Sequence, residues 1–367
     1  MKVKNKILHI VSHLGQGGAE RQLLELLEGN KNHAVCQLCP NGYYEKEVKA
    51  KGNTVFDLGM KRKIPDIRAF SRLNQVINCY QPDIIHTWMY HASLLEVISR
   101  KIRKNKNIPL IWGLRCSDMD TSFYSLQLKL VIIACKYFSS IPNLIINNSY
   151  VGKKFHEKIG FKNNNIVISN GIDTDKFAFS NKSRIRFRKK FKIPLRSKVL
   201  LSVARLDPMK DHKTLLFAFK KVKEIYPDIT LILAGLGTEN ISKRESVLSL
   251  GPCKNIEDVY SASDIIISSS AFGEGFSNVL GEGMSCNLVP ISTNVGDAKY
   301  IINSIGKIIK PGDVKNMFNA IIETIQLSDD IFLQKKYEAR KRISLNFSKQ
   351  KMISSYSEIY KNIMTNK

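Results

Sequence analysis

Residues 268–295 read SSSAFGEGFSNVLGEGMSCNLVPISTNV, and this stretch decides the fold. The β-branched run DIIIS at 264–268, which leads into it, predicts a short buried strand. Glycines then end the strand, and Ser277 is a suitable N-cap for a helix that follows at once. Glu274 is therefore expected on a loop at the carboxyl end of a strand, and Glu282 just over one turn into the helix.

The start of this predicted helix is a candidate anion site. The first amides of a helix have no intrahelical acceptor, and the positive end of the helix dipole favours an anion. A carboxylate on each side suits a ligand with hydroxyl groups at both ends and phosphates in the middle, which describes a nucleotide sugar. The residues of this segment expected to bind such a donor are Glu274, Gly275, Phe276, Ser277, Asn278, Val279, Leu280 and Glu282.

A second motif, ARLDPMKDH at 204–212, follows another predicted strand. Arg205 and Lys210 stand on either side of a turn that contains proline. Two such cations can neutralise a diphosphate as it becomes a leaving group, which is the charge that a metal ion would otherwise supply. The alternative is a pair of solvated charges beside neighbouring aspartates. The carboxylates of the 268–295 segment favour the catalytic interpretation.

Length and patterning predict two domains of one kind. The chain has 367 residues, more than one core usually supports. Strands and helices alternate in both halves, which predicts an α/β fold of two Rossmann-like, doubly wound domains facing each other across a cleft. The turn-rich segment at 169–177 marks the boundary. We expect an acceptor domain at 1–172 completed by a C-terminal helix at 347–367, and a donor domain at 173–346.

Composition limits the function classes. The formal net charge is +25, which attracts polyanions, but no nucleic-acid-binding signature accompanies it. The densest basic run, at 182–192, is interpreted either as a solvated surface or as attraction to an anionic membrane surface. Residues 126–138 are expected to be a helix packed in the core rather than against a membrane. No apolar run is long enough to span a bilayer, so we expect a cytoplasmic protein that touches a membrane.

The first domain offers candidate acceptor-side residues. Gly17 and Gly18 lie in a turn between a predicted strand and helix, where a backbone can approach a sugar or phosphate closely. Because the pattern is G-x-G-G, it fails as a dinucleotide fingerprint, and no nicotinamide cofactor is expected. His86 ends a predicted strand and His91 follows in its loop, so His91 is the better catalytic candidate. Arg115 follows the next strand.

These motifs together resemble the retaining glycosyltransferases of family 4, which have the GT-B architecture. The resemblance covers nearly the whole chain and rests on the order and spacing of the motifs. WGLR and SD are most similar to members that build bacterial O-antigen or capsule repeat units. The motifs are GGAERQL at 17–23, WGLR at 112–115, SD at 117–118, NGID at 170–173, ARLDPMKDH at 204–212, EGFSNVLGEGMSC at 274–286 and TNVGDA at 293–298.

The resemblance implies a role for each motif. Arg205 and Lys210 would bind the donor diphosphate, Glu274 the donor sugar, and Glu282 the ribose hydroxyls. The reaction would move a hexose or N-acetylhexosamine, without a cofactor or metal ion, to an undecaprenyl-diphosphate-linked or other saccharide acceptor at the inner membrane face. His86, His91, Arg115 and the Gly17–Gly18 turn would line the acceptor side.

Two features of the predicted helical segment at 278–287 depart from the pattern of the family. Family members usually carry larger residues where this chain has Gly281 and Gly283, and glycine in a helix costs about 0.5–1 kcal/mol relative to alanine. Asn287 stands where glycine is usual, although asparagine tolerates a left-handed turn. The alternatives to a transferase are a nucleotide-sugar epimerase of the same fold and a non-enzymatic polyanion-binding protein.

Overall fold

The computed structural model describes residues 5–61, 64, 66–103, 107–117, 126–162, 164–241 and 245–365. Asp118, from the SD pair, lies outside these ranges. The chain divides into two compact units. Unit 1 is residues 1–171 with 349–367, and unit 2 is residues 172–348. The sequence placed these boundaries at 172 and 347, within two residues of the observed positions.

Unit 1 is built on a parallel sheet whose strand order is β3-β2-β1-β4-β5-β6-β7. The helices that connect these strands, and the last helix of the chain, belong to the same unit. The strands are β1 Ile7–Val11, β2 His33–Gln37, β3 Thr54–Asp57, β4 Ile84–Trp88, β5 Leu110–Leu114, β6 Leu144–Asn147 and β7 Asn165–Val167. The helices are α1 Gly18–Leu26, α2 Glu45–Ala50, α3 Arg68–Tyr80, α4 Met89–Ile102, α5 Leu126–Phe138, α6 Tyr150–Lys158 and, at the C-terminus, α14 Lys349–Thr365.

Unit 2 repeats the architecture with strand order β10-β9-β8-β11-β12-β13, again all parallel. Helix α7, Asn181–Lys190, precedes the sheet. The strands are β8 Val199–Val203, β9 Thr230–Ala234, β10 Val247–Ser249, β11 Ile265–Ser268, β12 Val289–Thr293 and β13 Lys307–Ile309. The helices are α8 His212–Ile225, α9 Ile256–Ala262, α10 Asn278–Ser285, α11 Ala298–Ile302, α12 Val314–Ile325 and α13 Asp329–Asn346.

Both sheets confirm the predicted doubly wound α/β fold. Central strands such as β1 (ILHIV) are buried at every position, as expected for parallel strands covered on both faces by helices. The strand order reverses between β1 and β4 in unit 1 and between β8 and β11 in unit 2. Ligands of open α/β sheets bind outside the carboxyl ends of the strands at such a reversal.

The basic run at 182–192 is partly structural. Arg188 of α7 is fully buried, and its guanidinium donates to Asp264 Oδ2 at 2.7 Å and to the carbonyls of Pro194, Leu195, Ser197 and Ala262. Arg184 donates to the other carboxylate oxygen of Asp264 at 2.9 Å. Since these two cations hold the start of β11, a solvated or membrane-attracting surface does not account for the whole run.

The C-terminal helix α14 completes unit 1, as predicted. Met352, Tyr356 and Tyr360 are buried in one cluster with the apolar side chains of β1, β4 and α1. Lys349 adds ion pairs to Glu28 and Glu25 of the first helix region. Within the described ranges, none of the helices combines the length and apolar character needed to cross a bilayer.

Candidate active site

The predicted donor residues of unit 2 come together at its strand-order reversal. Arg205 and Lys210 follow β8, and Glu274 follows β11, the strand that pairs with β8. The two loops are joined by backbone, since the Ala271 amide donates to the Met209 carbonyl at 2.8 Å. The Ser269 hydroxyl also donates to the Lys210 carbonyl at 2.8 Å. Both loops are therefore fixed at the edge where parallel sheets bind ligands.

Lys210 and Glu274 form an ion pair at this edge. Ser270 donates a second hydrogen bond to the same carboxylate oxygen of Glu274 at 2.8 Å. Both side chains are mostly buried, so solvent screens the pair less than it screens a surface pair. The pair places a cation and a carboxylate side by side at this edge.

Arg205 lies on the solvent-exposed side of the same loop. Its Nε donates to Asp207 Oδ2 at 3.0 Å. Desolvation raises the pKa of Asp207, but the Met209 amide and the Arg205 charge outweigh it and hold that pKa below its usual value. Asp207 therefore stays ionised and orients the arginine. Together Arg205 and Lys210 supply two cations to one edge, as a bound diphosphate requires.

A glycine after β12 shapes the loop that carries Glu274. Gly296 has φ +57°, and a Cβ there would lie 2.5 Å from the Glu274 carbonyl and closer still to the Gly275 carbonyl. The next residue, Asp297, donates its amide to the Gly275 carbonyl at 3.0 Å. Only glycine allows this approach, so Gly296 determines how closely the Glu274 loop packs against the loop after β12.

The N-terminus of α10 is where the sequence predicts an anion site. Ser277 is the N-cap residue, but its side chain makes no capping hydrogen bond. The Ser277 side chain therefore does not accept from the amides of the first turn, at Asn278, Val279 and Leu280. The positive end of a helix favours an anion, and phosphate binding at these amides stays a prediction.

Glu282 lies one turn into α10 and is 4% exposed. The Tyr260 hydroxyl of α9 donates to Glu282 Oε2 at 2.9 Å. Tyr260 is itself fully buried and packs edge-on against Phe177. A buried carboxylate needs such donors, because an ionised group without partners is costly in the interior. Tyr260 thus fixes the orientation of Glu282.

The glycines of α10 are packing positions. A Cβ at Gly283 would lie 2.8 Å from Ile266 Cβ of β11, and one at Gly281 would lie 2.7 Å from Ile172 Cγ1. Gly283 thus lets α10 lie close to the sheet, and α10 forms over its predicted length. Asn287 takes the left-handed conformation, φ 64°, as anticipated.

The side chains of Phe276 and Leu280 are in the core. This corrects the expectation for the Phe276 side chain only, because the prediction for Leu280 concerns its amide. Phe276 is buried against Phe347, with ring centroids 5.2 Å apart, and Leu280 is fully buried. Their side chains cannot line a donor site because they pack with the apolar residues under α10. The Gly275 carbonyl likewise has a partner in the protein, since it accepts from the Asp297 amide.

His86 is also in the interior, in contrast to its predicted place on the acceptor side. It lies inside β4, fully buried, and its Nδ1 is 2.8 Å from the Tyr360 hydroxyl of α14. Burial, the Arg115 charge and His33 hold the pKa of His86 well below its usual value. Its ring fits because Gly113 leaves room, since a Cβ there would lie 3.0 Å from His86 Nε2. His86 therefore anchors α14 and cannot contact an acceptor.

Arg115 is tied into the same structure. Its guanidinium donates to the Tyr356 hydroxyl at 3.0 Å and to Asn170 Oδ1 at 2.5 Å, and it stacks over Trp88 at 4.8 Å. These contacts link the end of β5 to α14. These contacts give Arg115 a structural role. Its side chain is half-buried, so only the exposed part of it could contact a ligand.

His91 is exposed, but it lies in the first turn of α4 and not in a loop. The chain turns directly from β4 into the helix at Met89, which has φ 68°. Desolvation by the surrounding protein lowers the pKa of His91 even though its side chain is open to solvent. His91 is therefore neutral near pH 7 and able to accept a proton or hydrogen bond.

The Gly17–Gly18 turn precedes α1, with Gly17 as the N-cap. The Glu20 carboxylate folds back over Gly17 and occupies the space that a Cβ would need. Desolvation raises the pKa of Glu20. Among the described residues, no group of three or more histidine, cysteine, aspartate or glutamate side chains could hold a metal ion.

Four site residues were not predicted from the sequence: Glu20, Tyr260, Ser270 and Gly296. A sequence signal existed for Glu20, which stands three residues after the N-cap glycine, the spacing of a capping box. Tyr260 and Gly296 contact the site from other elements, so spacing alone could not reveal them.

Two family models match the chain. The one described as "Glycosyl transferases group 1" matches residues 183–346, and the one described as "Glycosyltransferase Family 4" matches residues 16–176. Each falls largely within one unit of the structure.

The chain is also similar to individual glycosyltransferases and to solved structures. An uncharacterized glycosyltransferase of Methanocaldococcus jannaschii is 28% identical over 240 residues, which are 61% of this chain and 58% of that relative. The UDP-Gal:alpha-D-GlcNAc-diphosphoundecaprenol alpha-1,3-galactosyltransferase of Escherichia coli is 24% identical over 83% of this chain and 81% of its own. Among solved structures, HepE of Anabaena in complex with UDP superposes with a TM-score of 0.82, at 20% identity, over 97% of this chain and 100% of its own.

Proposed function

Because the chain belongs to the GT-B glycosyltransferases of family 4, we propose that it is a retaining enzyme that uses a nucleotide diphosphate sugar. It moves a hexose or N-acetylhexosamine from a UDP-linked donor to a lipid-linked saccharide. The observation that carries the proposal is the Lys210–Glu274 pair at the β8–β11 edge, beside Arg205 on the same loop as Lys210.

Unit 2 binds the donor in this proposal. The diphosphate lies against the α10 amides and between Arg205 and Lys210, and Glu282 receives the ribose hydroxyls. Glu274 contacts the sugar, while its partner Lys210 turns toward phosphate. Lys210 already lies at the β8–β11 edge. On donor binding its ammonium group exchanges the Glu274 carboxylate for a phosphate group, which needs no large rearrangement of the loop after β8.

In the reaction, the bond between the sugar C1 and the β-phosphate oxygen breaks, and the electron pair leaves with the diphosphate. The acceptor hydroxyl oxygen forms the new bond to C1 on the same face, which retains the configuration. Charge develops on the leaving diphosphate, where Arg205 and Lys210 stabilise it, as electrostatic catalysis requires. These two side chains supply that charge without a resident metal ion.

Unit 1 binds the acceptor, with the exposed His91 and the Gly17–Gly18 turn, of which Gly18 is exposed, as its candidates. The neutral imidazole of His91 accepts a hydrogen bond from an acceptor hydroxyl and can take its proton. The E. coli relative is named for an acceptor carried on diphosphoundecaprenol, and we propose an acceptor of this class. The pathway is then bacterial surface polysaccharide synthesis, O-antigen or capsule, at the inner face of the cell membrane.

The test is transfer by the purified full chain. A panel of UDP-sugars is incubated with a diphosphoundecaprenol-linked N-acetylhexosamine, and the product is detected by mass spectrometry and its anomeric configuration by NMR. We expect one UDP-sugar to give an α-linked product. Lys210→Ala and Glu282→Ala should lose turnover. Full turnover by either variant, or epimerisation of the donor without an acceptor, would contradict the proposal.

A further inference from the structure

Helix α5 carries an apolar stripe on its outer surface. Leu126, Leu130, Ile133 and Tyr137 recur at helical spacing, and at about 100° per residue they fall within about 60° of one another. Their side chains are 71%, 57%, 61% and 79% exposed. Cys135, on the opposite side of the helix, is fully buried. The expectation that this helix is simply core is therefore wrong for one of its two sides.

The inner side of α5 already has its packing partners. Leu128, Val131, Ile132 and Phe138 lie against the core of unit 1. The outer stripe is thus additional apolar surface, contiguous along three turns, and a soluble protein gains nothing by leaving it in water. A run of large apolar side chains exposed on one helix face indicates a binding surface.

Cations lie along one flank of the stripe and near the C-terminal end of α5. Lys129 and Lys136 follow one of its flanks, and α5 contains no acidic residue. Lys101, at the end of α4, places its Nζ 4.4 Å from the centre of the Phe138 ring. The Lys162 amide donates to Ser139 Oγ at 2.7 Å, which brings a further exposed lysine to the end of the helix.

We propose that the outer face of α5 docks on an anionic lipid bilayer, with the stripe in the headgroup region and the lysines on acidic headgroups. This deepens the proposed function, on which it rests, because a lipid-linked acceptor presents its sugar at such a surface. The charge pattern favours a lipid partner. A purely apolar stripe would suit a second copy of the chain. Lysines beside the stripe, with long aliphatic stems and charged ends, suit the interface of an anionic bilayer.

The test is flotation of the full chain with vesicles of phosphatidylglycerol and phosphatidylethanolamine, and with vesicles of phosphatidylcholine alone. We expect binding to the anionic vesicles that weakens with salt. Leu130→Gln with Ile133→Gln should lower the affinity about tenfold or more, because two apolar side chains no longer leave water. Lys129→Gln with Lys136→Gln should lower it about tenfold on the anionic vesicles only.

A matched control replaces two equally exposed leucines of α13, Leu333→Gln with Leu345→Gln, which are 61% and 62% exposed. This control should bind vesicles like the wild type. Unchanged vesicle binding by the α5 apolar variant would overturn the proposal, and so would a wild-type dimer in sedimentation that the same variant dissociates. UDP affinity of that variant should equal the wild-type value. If no UDP-sugar is turned over while vesicle binding follows the predicted pattern, the proposed function fails and the docking surface stands.

Discussion

Gly296→Ala tests whether the loop after β12 holds Glu274 in place. Alanine at φ +57° pays a left-handed backbone penalty of about 1–2 kcal/mol, partly offset by about 0.4–1 kcal/mol from a stiffer unfolded chain. The new Cβ would also lie 2.5 Å from the Glu274 carbonyl, which is closer than real Cβ contacts allow. The Glu274 loop must then shift by roughly 1 Å, and a displacement of that size costs about 10²-fold in rate.

The matched control is Gly312→Ala, which has φ +72° and open space around the new Cβ. Both variants should lose stability in urea unfolding through the left-handed backbone, and Gly296→Ala should lose more, because only its Cβ meets backbone carbonyls. Only Gly296→Ala should lose about 10–100-fold in kcat/KM for the UDP-sugar. Equal kcat/KM in the two variants would refute the reasoning, because it would mean that the position of the Glu274 loop does not matter for turnover.

Three further predictions concern the residues that support the two units. Tyr260→Phe keeps the ring but removes the hydrogen bond to Glu282, so calorimetry should show UDP affinity about tenfold weaker, and an unchanged affinity would exclude a positioning role. Arg188→Met removes the buried partner of Asp264 and should destabilise unit 2 by about 3 kcal/mol or more in urea unfolding followed by circular dichroism. The control for it is Arg186→Met, at an exposed pair with Asp258, which should cost no more than about 1 kcal/mol, and equal losses would contradict the structural role of Arg188. Burial lowers the pKa of His33 and of His156 to about 4, so between pH 6.5 and about 4 the unfolded chain binds more protons than the folded chain. As the pH decreases through this range, the stability of unit 1 should therefore decrease by up to about 1.4 kcal/mol per pH unit for each histidine. Both tryptophans, Trp88 and Trp112, lie in unit 1, so their fluorescence in urea titrations at several pH values measures this, and a pH-independent midpoint would contradict it.

Local signals in the sequence predicted the elements that carry the donor site. The β11 run, the glycines around Glu274 and the N-cap at Ser277 act within a few residues, and the structure has the strand, loop and helix where they indicate. The strand–helix alternation likewise predicted both sheets, because parallel strands need crossover helices and those helices leave a periodic apolar pattern.

Long-range packing explains what could not be predicted. The local sequence predicts that His86 lies at the end of a strand beside a loop, but its hydrogen-bond partner Tyr360 is 274 residues away. Arg188 reads as part of a basic run, but Asp264 binds it from 76 residues away. The turn at Met89 has no glycine or proline to signal it, so the helix that carries His91 was read as a loop.

The most direct test of the account is calorimetric titration of UDP into the wild-type chain and into Lys210→Met. We predict that the wild type binds UDP and that Lys210→Met binds at least tenfold more weakly, because the variant loses a phosphate partner and leaves the Glu274 carboxylate unbalanced beside the diphosphate. Equal UDP affinity in the two proteins would contradict a donor site at the β8–β11 edge.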